Sequence, residues 1–283
     1  MACVDLHIHT TASDGALTPS EVVAGAKKAG IAAISITDHD TMQGLAEAES
    51  AGKKYDVEIV PGVELSTNHK EKEIHILAYY CDPNNPFLKQ KLLSFKTNRY
   101  DRMESMIKKL NKLGVNIELA DVLKVVKGQM LGRPHLALAL MEKGYIQEPA
   151  EAFEKYIGPS CPAYVKRPKF TPFEAISMIR SAGGIPVLAH PILYNEDSLI
   201  PSLVGAGLLG IEVFHLEQGA VSNQRYLKIA RKYNLLVTGG SDYHGTENHP
   251  VPAIGTVTIK YSYLKKMKEV KKAINKGVLK YFN

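Results

Sequence analysis

CVDLHIHTTASDGALTPSEVVAGAKKAGIAAISITD, residues 3–38, holds one complete strand–helix–strand unit. Cys3 to His9 and Ile31 to Asp38 are short runs of β-branched and apolar residues. Between them Thr18-Pro19-Ser20-Glu21 is a capping box with proline at the first helical position. That order points to parallel strands joined by helical crossovers. Further along, Val57 to Glu64, Glu73 to Tyr80, Ile185 to His190, Leu209 to His215 and Leu235 to Asp242 repeat the strand pattern, and Thr171-Pro172-Phe173-Glu174 repeats the capping box. Strand candidates that alternate with helices in this way predict an α/β chain closed as a seven-stranded (β/α) barrel. A last run, Ile254 to Ile259, predicts an extra strand before a Lys-rich terminal helix.

Between Pro86 and Phe170 the alternation stops. The segment reads as helices over Phe87 to Leu113, Glu118 to Val126, Pro134 to Lys143 and Pro149 to Tyr156. The predicted organisation is therefore a barrel domain, 1–85 and 171–283, with an inserted helical subdomain, 86–170, lying over one barrel end as a substrate cover.

A chain of 283 residues, 45% hydrophobic and 23% charged, can bury a full core and is neither disordered nor collagen-like. No apolar run approaches the ~18 residues of a membrane span, and MACVDLHIHT has neither a basic start nor an apolar signal core. A cytoplasmic protein with no membrane association is expected. Cys3, Cys81 and Cys161 are odd in number and form no CxxC pair, so reduced, unligated thiols are expected. The formal charge is +6 and uneven: residues 96–170 hold 14 basic and 8 acidic residues, and 260–280 hold eight lysines against Glu269. The rest is acidic, which suits bound divalent cations and an anionic substrate. Lys265, Lys266, Lys268, Lys271, Lys272 and Lys276 read as a solvated helix face rather than a nucleic-acid patch.

In Asp5-Leu6-His7-Ile8-His9 both imidazoles project from one strand face. Every strand candidate carries a His, Asp or Glu at or just past its C-terminal end: His7 and His9, then His39, Glu64, His75, His190, His215 and Asp242. Active sites of parallel barrels are built at that end. Several lie in breaker-rich turns, as do Asp14 in Ser13-Asp14-Gly15 and His244 in Gly240-Ser241-Asp242-Tyr243-His244. So many nitrogen and oxygen donors exceed the ~3 to 4 protein ligands of one catalytic zinc, which predicts two or three divalent ions (Mn, Zn or Fe) sharing ligands.

These motifs resemble the polymerase and histidinol phosphatase (PHP) family over nearly the whole chain: Asp5-Leu-His7-Ile-His9-Thr-Thr-Ala-Ser-Asp14-Gly, Thr37-Asp-His39-Asp, Pro61-Gly-Val-Glu64, Ala189-His190-Pro and Gly240-Ser-Asp242-Tyr-His244. The resemblance implies a distorted seven-stranded barrel with a trinuclear metal centre at the strand C-termini. It implies that His7, His9, Glu64 and Asp242 bind one metal, that Glu64 bridges to a second held by His75 and His190, and that Asp14, His39 and His244 hold the third. Asp14, together with Gly132-Arg133-Pro134-His135, looks like the branch acting on nucleotide phosphates, where Arg133 and His135 would bind substrate phosphate. Arg133 can grip two phosphate oxygens at once beside a helix N-terminus. After His215, Leu216-Glu217-Gln218-Gly219 lacks the Ser-His-Ser segment of many relatives, so His215 either substitutes for an imidazole or packs. His69 and His249 read as surface residues.

The implied reaction is phosphomonoester hydrolysis by a metal-bridging hydroxide held at Glu64 and Asp242. The leaving group would take its proton from water or from His215, His135 or Asp40. Cys161 has no adjacent His, and neither a GxSxG elbow nor a Gly-rich nucleotide loop occurs. The expected activity is removal of the 5′-phosphate from nucleoside 3′,5′-bisphosphates, or trimming of short 5′-phosphorylated RNA. Its substrate is a small anionic nucleotide, and no obligate protein partner is inferred. The alternatives are a histidinol-phosphate phosphatase and a non-catalytic PHP accessory module.

Overall fold

A computed structural model describes residues 2–70, 72–126, 130–166, 168–245 and 253–277 of the chain. Its contacts divide it into two compact units, residues 1–89 with 170–283, and residues 90–169.

The first unit is an eight-stranded sheet in the order β7-β6-β5-β4-β3-β2-β1-β8. The strands are β1 (Cys3–Ile8), β2 (Ala33–Ile36), β3 (Glu58–His69), β4 (Lys72–Tyr79), β5 (Ile185–Leu188), β6 (Gly210–Phe214), β7 (Leu236–Gly239) and β8 (Ile259–Lys260). The segment after β7 returns to β1 through an Ile8–Tyr243 bridge and the bonds Asp242 N–H to His7 O and His9 N–H to Tyr243 O, each 2.8 Å, which nearly closes the sheet into a barrel. Glycine is required at this seam, because a Cβ on Gly240 would stand 2.4 Å from the His7 nitrogen.

Parallel pairing holds for β1–β2, β2–β3, β5–β6 and β6–β7. It fails at β4, which runs antiparallel to both β3 and β5. His69 pairs with Lys72, so only two residues join β3 to β4, and no crossover helix fits in that length. β3 also continues past Glu64 to His69. The expected strand over Ile254 to Ile259 is only Ile259–Lys260, pairing antiparallel with Cys3 and Val4.

Both predicted capping boxes form, at Thr18–Glu21 for α1 (Pro19–Lys28) and at Thr171–Glu174. Val22, Val23 and Ala26 of α1 and Ala48 of α2 (Leu45–Tyr55) bury against Ile8 and Ile34. A second cluster joins Val4, Leu6, Val60, Tyr79 and Val187 to Leu264 and Met267 of the terminal helix.

The unit of residues 90–169 is helical and holds most of α3 (Pro86–Lys112), then α4 (Leu119–Val125), α5 (Arg133–Glu142) and α6 (Pro149–Ala152), which runs into a π-turn over Phe153–Ile157. Its own core contains Met106, Leu110, Val122, Leu136 and Leu140. In the barrel unit α7 (Pro172–Ser181), α8 (Ile200–Gly205), α9 (Ala220–Lys232) and α10 (Tyr261–Asn275) complete the helices. Among the described residues no helix is long and apolar enough to cross a membrane.

Candidate metal centre

Strand alternation sends His7 and His9 to one face of β1, both fully buried with ring centroids 5.3 Å apart, while Ile8 faces α1 and α2. The following turn is tied by the buried Asp38 carboxylate, which accepts from Thr10 N–H and Thr10 Oγ at 2.7 Å and from Ser13 Oγ at 2.5 Å. Those bonds present Asp14 to His9, His39 and His244 at 3.7, 3.8 and 3.6 Å. His39 leaves the end of β2 and bridges to Glu64, whose N–H bonds Thr37 O. His75 lies in the N-terminal half of β4, not at its C-terminal end as expected. The antiparallel direction of β4 carries that half to the same rim, where it pairs with Ser66.

Glu64 is the hub. Its Oε1 lies 2.9 Å from His75 Nδ1 and 3.0 Å from His190 Nε2, and its Oε2 lies 3.4, 3.2 and 3.1 Å from His7 Nε2, His9 Nε2 and His39 Nδ1. Asp242 Oδ1 stands 3.2 Å from His7 Nε2 and 3.1 Å from His9 Nε2. Burial opposes the charge on Glu64, but the imidazoles of His75, His39 and His7 outweigh it and hold the carboxyl well below the usual range. Burial lowers His39 to about 4 and also lowers His190 and His244, which disfavours the imidazolium form of these rings, whereas at His7, His9 and His75 the neighbouring carboxylates outweigh burial and raise the imidazoles.

The donor atoms are close but mostly unsatisfied. His7 Nε2, both nitrogens of His9, His39 Nδ1, His75 Nε2, Glu64 Oε2 and Asp242 Oδ1 are buried without hydrogen bonds. Orphaned polar atoms are costly unless something else binds them, and a nitrogen–oxygen set without thiolates fits divalent Mn, Zn or Fe. Donor atoms in three groups lie within 4.8 Å of one another: His7, His9, Glu64 and Asp242; His9, Asp14, His39 and His244; and His39, Glu64 and His75. The first is the group implied by family resemblance. In the others His9 and His39 serve more widely than that partition has them, and His190 approaches through Glu64 Oε1.

His215 is buried against this centre, with Nε2 3.2 Å from Asp242 Oδ2. Asp40 anchors the β3–β4 hairpin, its Oδ1 accepting from Ser66 N–H at 2.9 Å. His69 packs on the Phe173 ring at 6.0 Å, while His249 lies outside the described residues. Arg133 and His135 belong to the helical unit. His135 Nδ1 accepts from Gly132 N–H at 3.1 Å, and the Arg133 guanidinium lies over the rings of Phe153 and Tyr164, 5.5 and 5.8 Å from their centroids.

Sequence reasoning left several supports unassigned. Tyr194 accepts from His75 N–H at 2.8 Å and bonds His190 Nδ1 at 2.8 Å. Asp5 ties β1 to the 240–242 turn through Ser241 N–H at 2.9 Å and Ser241 Oγ at 2.6 Å. Glu212 bonds His7 Nδ1, and its signal was visible as one carboxylate in the apolar strand Gly210–Phe214.

The PHP domain family model matches residues 5–159. A 5′-3′ exoribonuclease of Haemophilus influenzae is 35% identical over 85% of this chain and 89% of its own. A 3′,5′-nucleoside bisphosphate phosphatase of Chromobacterium violaceum is 32% identical over 86% of this chain and 88% of its own. Among solved structures, a predicted metal-dependent phosphoesterase from Bifidobacterium adolescentis superposes with a TM-score of 0.80 at 30% identity, covering 93% of this chain and 94% of that one.

Proposed function

The chain belongs to the PHP domain family, and from that premise we propose that it is a metal-dependent phosphoesterase acting on nucleotide 5′-phosphates. Its substrates are nucleoside 3′,5′-bisphosphates or short 5′-phosphorylated oligoribonucleotides. The observation that carries the metal dependence is the set of orphaned donor atoms converging on Glu64 and Asp242, and the substrate class follows the two relatives.

His7, His9, Glu64 and Asp242 would hold one divalent ion, Glu64 with His75 and His190 a second, and Asp14, His39 and His244 a third. Bound divalent cations supply Lewis acidity, lowering the pKa of an attacking water and neutralising the phosphoryl oxygens. Glu64 and Asp242 provide the negative charge that keeps such cations together. Glu217 N–H donates to His215 Nδ1 at 3.2 Å, which leaves the His215 proton on Nε2, pointing at Asp242 Oδ2. That bond turns Asp242 Oδ1 toward His7 and His9.

Substrate choice falls to residues 86–170. Supporting this are the basic excess of residues 96–170 and the fork of Arg133, steadied on its aromatic rings at the start of α5. Arg133 and His135 read a phosphate of the substrate. A cytoplasmic location is inferred from the odd number and wide spacing of Cys3, Cys81 and Cys161 in the sequence.

Elemental analysis paired with a phosphate-release screen tests the reading. Bound Mn, Zn or Fe and preferred turnover of a nucleoside 3′,5′-bisphosphate are expected. Preference for histidinol phosphate would move the chain to the alternative branch, and turnover without metal would overturn the mechanism.

A further inference from the structure

Glu212 is a fully buried carboxylate in the middle of β6, flanked by Ile211 and Val213. One side chain serves two strands. Its Oε1 and Oε2 lie 3.0 and 3.2 Å from His7 Nδ1, and Oε2 also accepts the backbone N–H of His190 at 2.8 Å. His190 has φ 23 and ψ 59, a left-handed conformation that a residue with a side chain rarely adopts, and this bond holds its peptide there. The Glu212 carboxylate accepts a hydrogen bond from His7 Nδ1–H, which keeps a proton on that nitrogen. Nε2, the ring nitrogen that Glu212 does not engage, then faces Asp242 Oδ1 at 3.2 Å and Glu64 Oε2 at 3.4 Å.

We infer that Glu212 is a positioning residue of the metal centre, fixing the tautomer and orientation of His7 and the backbone of His190 without itself binding an ion. Among the described residues Glu212 makes no hydrogen bond to His9, Asp14, His39 or His244, so its influence is confined to one side of the centre. A glutamine at this position keeps the size but offers one acceptor oxygen. It can satisfy His7 Nδ1–H or His190 N–H, and its amide hydrogens then face the other donor.

The test titrates metal-stripped wild type and E212Q with Mn²⁺, reading bound metal per chain at buffered free Mn²⁺ and the fold by circular dichroism. E212Q is expected to fold and to bind at least one ion about 10- to 100-fold more weakly, while an ion held by Asp14, His39 and His244 keeps wild-type affinity. Unchanged affinity for every ion overturns the assignment. Equal weakening of all ions also overturns it, because that marks general loosening. Should E212Q not fold, E212D keeps the charge, withdraws it by one methylene and is read the same way. The inference rests on the cluster being a metal centre. Wild type that takes up no Mn²⁺ overturns that reading, whereas equal uptake by both proteins overturns only the role of Glu212.

Discussion

His215 donates from Nε2 to Asp242 Oδ2 across 3.2 Å, and the backbone N–H of Glu217 fixes that tautomer from the other side of the ring. The Leu216-Glu217-Gln218-Gly219 loop thus acts on the site through His215. H215A should lower kcat about 10- to 100-fold with little change in KM, since it frees Asp242 to rotate without removing a substrate contact. Steady-state kinetics on a nucleoside bisphosphate check this, and a pure KM effect would instead place His215 against the substrate.

Glu64→Gln and Asp242→Asn should each abolish turnover while the fold persists with reduced metal content, because each removes a charge that balances cations. Elemental analysis and phosphate release on the purified variants decide. Near-wild-type rates in metal-depleted buffer would remove both residues from the centre.

Arg133→Ala should weaken use of a substrate with two phosphates far more than that of a simple aryl phosphate, the guanidinium serving a group remote from the reacting centre. The ratio of kcat/KM values on the two substrates is the measurement. Equal losses would put Arg133 at the scissile phosphate, and no loss would leave it as packing on Phe153 and Tyr164.

Neutralising Lys166, Arg167 and Lys169 together should lower kcat/KM for the bisphosphate and flatten its salt dependence at constant metal stoichiometry. Arg167 lies outside the described residues, so its part is argued from charge alone. An unchanged rate would make the three a solvated surface.

Cys81 is buried, and burial pushes its thiol up to about 12. The unfolded thiol ionises near its ordinary value of about 8.5 while the folded one stays protonated, so the unfolded state is favoured as pH rises above that value. Between pH 9 and 11 the wild type should lose stability relative to C81A, by at most roughly 1.4 kcal/mol per pH unit. Denaturant unfolding of both across this range reads the difference, and parallel profiles would contradict it.

The barrel was legible in the sequence because strand runs, capping boxes and breakers are local signals. Thr18 and Thr171 cap the helices they were expected to cap. The donors at the rim were legible too, since imidazoles and carboxylates recur at strand ends and in turns that need neither for stability. Strand direction at β4 was not legible, because β3 runs past its expected end at Glu64 to His69 and only then leaves a two-residue connection to Lys72 that excludes a crossover. What only the tertiary structure decided is which donor faces which. Glu64 meets His75 from the neighbouring strand and His190 from 126 positions away, and Glu212 meets His7 from 205 positions away. Such pairings arise where the sheet closes on itself and the sequence interval between partners carries no trace of them, because side-chain proximity across a barrel is set by register and twist rather than by distance along the chain.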